Sequence, residues 1–169
     1  MLVAVVSDTH LRQGGSGLPP WCLEHLRRAD LILHAGDVVE PFLLGELELL
    51  APVRAVAGNM DVPALRTTLP AELRLELDGT RIGMLHDPGP SGGRADRLLR
   101  RFTGCDAVVF GHTHAPVLEQ VGGRWLLNPG SPTQPRRAPG PSLILLEVCG
   151  GRLRPELAGA SAAATRHKP

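Results

Sequence analysis

The chain has no tyrosine, and its 169 residues include only three phenylalanines and two tryptophans. Rings on which successive bases could stack are therefore scarce, and a formal charge of +1 gives no general attraction to polyanions. A dedicated nucleic-acid surface is disfavoured, although nucleic acid as a substrate stays open. Lys168 is the one lysine, a bias that carries no functional reading. Cysteine is sparse as well: Cys22, Cys105 and Cys149 are odd in number, widely spaced and form no CxxC pair. That excludes a disulfide framework or a zinc ribbon and suits a reducing cytoplasm. No apolar run approaches membrane-spanning length, and the apolar start Leu2 to Val6 is closed by Ser7-Asp8 with no basic stretch before it. The expectation is a soluble cytoplasmic protein without a membrane partner.

What is present is a hydrophobic content of 43%, enough for one sizeable core. A single domain is expected over residues 1–157, with 158–169, rich in Ala, Ser and Gly, as a flexible tail. Leu2–Val6, Leu31–Leu33 and Val53–Ala57 are short apolar runs bounded by Gly or Asp, the pattern of strands buried on both faces. Between them, Pro19-Pro20 predicts a helix through Arg28 and Pro41 another through Leu50. Such a β-α-β-α-β opening makes a parallel sheet with its binding site at the carboxyl ends of the strands. Leu73–Leu77 then alternates strictly, Asp78-Gly79 predicts a hairpin turn, and Arg81–Leu85 returns. A basic helix to about Phe102, a strand at Ala107–Phe110, a hairpin about Gly122-Gly123 and a last strand at Ser142–Val148 complete the pattern. Two sheets covered by helices follow.

Polar residues stand where these strands end. The first runs into Asp8-Thr9-His10, the second into Gly36-Asp37 and the third into Gly58-Asn59. Later strands add His86 and Gly111-His112-Thr113-His114. Carboxylate with imidazole suits Mn, Fe, Zn or Ni better than Ca, which prefers oxygen alone. Asp8 with His10, and His112 with His114, alternate along an extended segment, so each pair can reach one site. Seven ligands, Asp8, His10, Asp37, Asn59, His86, His112 and His114, exceed what one ion takes. Two ions about 3.5–4 Å apart, with Asp37 as the bridge, is the economical reading.

In this order, Asp8-x-His10, Gly36-Asp37, Gly58-Asn59-x-Asp61, His86 and Gly111-His112-x-His114 resemble the calcineurin-like metallophosphoesterase superfamily. The chain's small size and Asn128-Pro129-Gly130-Ser131 resemble its compact prokaryotic phosphodiesterase branch, which also includes a eukaryotic retromer subunit acting as a scaffold. The resemblance implies a four-layer α/β/β/α sandwich, two packed mixed sheets flanked by helices. It implies that Asp8, His10, Asp37 and His114 hold one ion and Asp37, Asn59, His86 and His112 the other. Two divalent ions are implied, manganese first, with Ni, Fe, Co or Zn as alternatives. The activity implied is hydrolysis of a phosphoester, most readily a phosphodiester, by a metal-bridging hydroxide attacking phosphorus in line. The alternative is a non-catalytic protein-interaction scaffold. Asn59, Asp61 and His86 are the candidates for acting on substrate, a small or nucleotide-type phosphoester. Met60 stands where many members carry a histidine that protonates the leaving group, which leaves Asp61 as candidate donor. Asp87-Pro88 replaces the Gly and His often found after the equivalent of His86. Arg136 and Arg137 are candidates for clamping a substrate phosphate, His34 for supporting the ligands from behind, and a homodimer is favoured over a monomer. Arg94, Arg97, Arg100 and Arg101 read as a solvated helix face.

Overall fold

A computed structural model describes residues 1–159. Its first half alternates: β1 (Leu2–Val6), α1 (Pro20–Leu26), β2 (Leu31–His34), α2 (Phe42–Glu48), β3 (Val53–Ala55) and α3 (Pro63–Thr68). Its second half is mostly strand: β4 (Glu72–Leu77), β5 (Thr80–Leu85), α4 (Arg94–Arg101), β6 (Ala107–Val109), β7 (Val117–Val121), β8 (Arg124–Asn128), β9 (Ser142–Cys149) and β10 (Arg152–Gly159). One sheet has the order β10-β9-β1-β2-β3 and the other β4-β5-β6-β8-β7. Both are mixed: β1, β2 and β3 run parallel while β9 and β10 are antiparallel, and β5, β6 and β8 run parallel between antiparallel β4 and β7.

Three separate cores define four layers, because alternate residues of a strand face opposite sides of its sheet. In β1, Ala4 and Val6 face Cys22, Leu26, Leu43 and Leu47 of the helices. Val3 and Val5 face the other way and pack between the sheets against Ile82, Met84, Val109 and Leu127. Beyond the second sheet, Leu85, Val108 and Leu126 meet Leu98 and Phe102 of the α4 side. Fully burying such a side chain is worth about 1.5–3 kcal/mol, so the sandwich is held mainly by these three interfaces. The expected α/β/β/α sandwich is the observed fold.

Asp78 and Gly79 both have positive φ, 45° and 76°, which is the twist a two-residue hairpin turn requires. The helices are shorter than their proline starts suggest, and β2 extends one residue further to include His34. β10 takes in Ala158 and Gly159 opposite Leu143 and Ser142. The rest of the expected tail, 160–169, lies outside the described residues. No helix among the described residues is long and apolar enough to cross a membrane.

Candidate metal centre

Parallel strands of one sheet end on one rim, and here both sheets deliver to it. Asp8 and His10 follow β1, Asp37 follows β2, Asn59 follows β3, His86 follows β5, and His112 and His114 follow β6. Among the described residues, the non-glycine positions with positive φ are Asp8, His10, Asp37, Val39, Asp78, His112, His114 and Arg136. Five of them are candidate ligands, so the backbone strain of the fold is concentrated where the side chains converge. Each such residue costs of order 1 kcal/mol or more and persists only where its surroundings over-determine it.

The side chains form two neighbouring groups. In one, His114 Nε2 lies 3.3 Å from Asp8 Oδ1 and 3.2 Å from His10 Nε2. In the other, Asn59 Oδ1 is 3.0 Å from both His86 Nε2 and His112 Nδ1. Asp37 stands between them: its Oδ2 is 3.5 Å from His10 Nε2 and its Oδ1 is 3.3 Å from His86 Nε2. Two triads have ligand atoms within 4.8 Å of one another, Asp8-His10-His114 and Asp8-Asp37-His86. Asp8 belongs to both, a more central place than at one ion only.

Whether these atoms suit a cation can be judged from what already occupies their lone pairs. His86 donates Nδ1–H to the Ala35 carbonyl at 2.8 Å, and His114 donates Nδ1–H to the Gln134 carbonyl at 2.5 Å. Both rings are thereby oriented with Nε2 toward the site, the support that metal-bound imidazoles usually have. Asp8 Oδ2 accepts from Ser7 Oγ at 2.7 Å and from the His112 amide at 2.9 Å. Asp8 Oδ1, by contrast, is buried with no hydrogen-bond partner. An unpaired buried carboxylate oxygen facing imidazole lone pairs is expensive unless a cation joins them. The donor set fits a divalent ion of the Mn, Fe, Zn type.

Burial and neighbouring charge shift the ionisation of these groups in different directions. Burial raises the pKa of Asp8. Burial also pushes Asp37 upward, but the hydrogen bond and charge of His86, with the Met60 amide, hold it below the usual range. For His86, burial is outweighed by the hydrogen bond and charge of Asp37, and its pKa is raised. His10 is lowered, chiefly by burial. His34 is fully buried in β2 with Nε2 3.1 Å from Thr9 Oγ1, and burial lowers its pKa to about 3, keeping it neutral behind the ligands.

Glycines give the loops room to meet. A Cβ at Gly58 would come within 2.1 Å of the Asp37 backbone nitrogen, and one at Gly111 within 2.0 Å of Ser7 Oγ. The Asn128–Ser131 loop does adjoin the site. Ser131 Oγ donates to the Asp8 carbonyl at 2.7 Å, and Asn128 Nδ2 donates to the Gly111 carbonyl at 2.9 Å.

Asp61 is placed differently from a donor facing substrate. It is buried, and its two oxygens accept the amides of Val39 and Gly58, both at 2.7 Å, tying the loop of Asp37 to that of Asn59. Met60 is half-exposed, and its amide donates to Asp37 Oδ1 at 2.8 Å. Asp87 accepts the Gly89 amide at 2.8 Å, within its own turn. Of the α4 arginines, Arg97 is no simple solvated residue: it donates to the carbonyls of Pro88, Pro90 and Gly92 and so shapes the loop after His86. Arg101 pairs with Glu72 at 2.6 Å, and Arg94 lies over the Phe110 ring. Ser7 and the carbonyls of Ala35 and Gln134 are supports that sequence reasoning missed. Ser7 precedes Asp8 directly and was open to suspicion, whereas a carbonyl contact leaves no residue-type signal.

The calcineurin-like phosphoesterase superfamily domain matches residues 1–151. A curated "probable metallophosphoesterase" of Methanothermobacter thermautotrophicus is 40% identical over 159 residues, spanning 93% of this chain and 91% of its own. Among solved structures, a Thermotoga maritima protein determined by solution NMR superimposes with a TM-score of 0.72 at 33% identity, over 94% of this chain and 98% of that one. Vps29 of Entamoeba histolytica complexed with Zn²⁺ superimposes with a TM-score of 0.74 at 25% identity, over 94% and 99%.

Proposed function

Because the chain belongs to the calcineurin-like phosphoesterase superfamily, we propose that it is a phosphodiesterase dependent on two divalent metal ions, manganese the first choice. Asp8, His10 and His114 would hold one ion and Asn59, His86 and His112 the other, with Asp37 standing between the two groups as the shared carboxylate and Asp8 within reach of both. Bound there, such ions supply Lewis acidity at the phosphoryl oxygens and a water acidic enough to act as nucleophile near neutral pH.

The observation that carries this reading is the buried, unpartnered Asp8 Oδ1 facing two imidazole nitrogens. The chain's own residues do the positioning. Ala35 and Gln134 fix the His86 and His114 rings, and the Met60 amide orients Asp37. Asn59 is exposed beside Met60, so the rim is open to substrate on that side. Met60 cannot donate a proton from its thioether, and Asp61 has both oxygens engaged, so neither assists a departing oxygen. Diesters with good leaving groups are therefore the favoured substrates.

The scaffold alternative rests on the resemblance to a branch that includes a scaffold subunit, but the convergence of these side chains about an unpartnered Asp8 Oδ1 favours metal chemistry over protein contact alone. The test is to strip the natural chain of metal, reload it separately with Mn, Ni, Co, Fe and Zn, and follow bis(p-nitrophenyl) phosphate. Metal-dependent release of p-nitrophenol is expected with at least one ion. Bound metal without turnover for any of the five would favour the scaffold.

A further inference from the structure

Beside the metal rim lies a groove of about 630 Å³, lined by Thr113, Ala115, Pro116, Arg136, Arg137 and Pro139 among others. Its volume is in the range of ligand sites. It opens off the ligand loop itself, since Thr113 stands between His112 and His114. The far wall is stitched to the same loops: Thr133 Oγ1 donates to the Thr9 carbonyl at 2.6 Å, and Gln134 accepts from His114. Directly after Gln134, Pro135 to Ala138 close a turn through an amide-to-carbonyl bond of 2.8 Å. Arg136 occupies that turn at φ 50°, where Gly, Asn or Asp would be unstrained. A strained arginine in a turn that would accept glycine directs attention to its side chain.

Among the described residues, the guanidinium groups of Arg136 and Arg137 have no hydrogen-bond or ion-pair partner. The arginine–carboxylate pairs among the described residues are Arg12 with Glu40 and Arg101 with Glu72, and the groove's lining includes no Asp or Glu. Apart from Thr113, the rest of the lining is alanine and proline, with surface for an organic arm but little to hydrogen-bond it.

We propose that this groove binds the non-reacting arm of the substrate and that Arg136 and Arg137 hold a second phosphate carried by that arm. Resting on the phosphoesterase reading, this narrows the substrate class to a phosphodiester bearing a further phosphate a short distance from the scissile one. Guanidinium forks match phosphate oxygens in pairs, and two adjacent forks suit a phosphate dianion.

Two readouts separate this subsite from the reading beneath it. In calorimetry on the metal-loaded chain, thymidine 3′,5′-bisphosphate should bind on the order of tenfold tighter than thymidine 5′-monophosphate. In turnover, the 5′-p-nitrophenyl ester of the bisphosphate should show a similar advantage in kcat/KM over that of the monophosphate. Both ratios should fall to about one in R136Q/R137Q and persist in R100Q, with folding of each variant checked by circular dichroism. A ratio of one in the natural chain, a ratio that survives in R136Q/R137Q, or its loss in R100Q would overturn the subsite. Discrimination in binding with no turnover of either ester would support the subsite and remove the phosphoesterase reading instead.

Discussion

Replacing Gly58 with alanine should disable the metal centre without touching a ligand. The added Cβ would lie 2.1 Å from the Asp37 nitrogen and 2.2 Å from Asp37 Oδ1, where ordinary contact begins near 3.4 Å. Asp37 must therefore retreat by roughly 1.3 Å, against a tolerance of about 0.2 Å for metal–ligand distances. The nearest atom is backbone, so no rotamer change relieves the clash. Forcing an extra methyl into packed structure costs about 1–3 kcal/mol, or about 4–8 °C in melting temperature for 2 kcal/mol in a domain of this size. Gly45 is the control. It lies in α2 with open space around its Cβ, so Gly45→Ala should stabilise the fold by about 0.5–1 kcal/mol and leave metal content unchanged. The assay is elemental analysis of purified protein, with thermal melts of metal-free and manganese-loaded samples. Gly58→Ala retaining the natural metal content and the natural metal-induced stabilisation would refute the placement of Asp37 as a ligand against this glycine.

Asp61→Ala removes the acceptor of two hydrogen bonds donated by the buried amides of Val39 and Gly58, worth about 1.5–3 kcal/mol each. It should lower the metal-free melting temperature by about 6–24 °C, and a shift under 2 °C would show that the clamp is not structural. Metal affinity should weaken as pH falls, because the ions compete with the protons that the raised pKa values of Asp8 and His86 retain. Loss should begin above the ordinary histidine range, and manganese titrations that are flat with pH across that range would contradict this. With no proton donor at Met60, rates on aryl diesters should fall steeply with leaving-group pKa, alkyl esters being slower by a further factor of about 10²–10⁴. A flat dependence with chemistry rate-limiting would reveal another donor.

The early strands and their ligands were legible because short apolar runs stop abruptly at Asp8, Asp37 and Asn59, and parallel pairing forces such stops onto one rim. α3 escaped notice, since Pro63–Thr68 is six residues long, ends in two β-branched threonines and buries only Leu65. β10 was masked by Pro155, a poor strand residue that an edge strand tolerates. The roles of individual polar groups were harder. Asp61 sits in a motif that suggests chemistry, and only folding shows its oxygens turned to the amides of Gly58 and of Val39, 22 positions away. Arg97 looked like one charge in a basic run because carbonyl partners in the next loop carry no sequence signature.

Metal counting in two variants decides whether two ions share Asp37. Asp37 has one oxygen toward His10 and the other toward His86, whereas His114 lies in the Asp8-His10 group alone. With manganese supplied in excess and then removed by gel filtration, the natural chain should retain two ions, His114→Ala one, and Asp37→Ala none. Two ions still bound to Asp37→Ala would rule out the shared carboxylate.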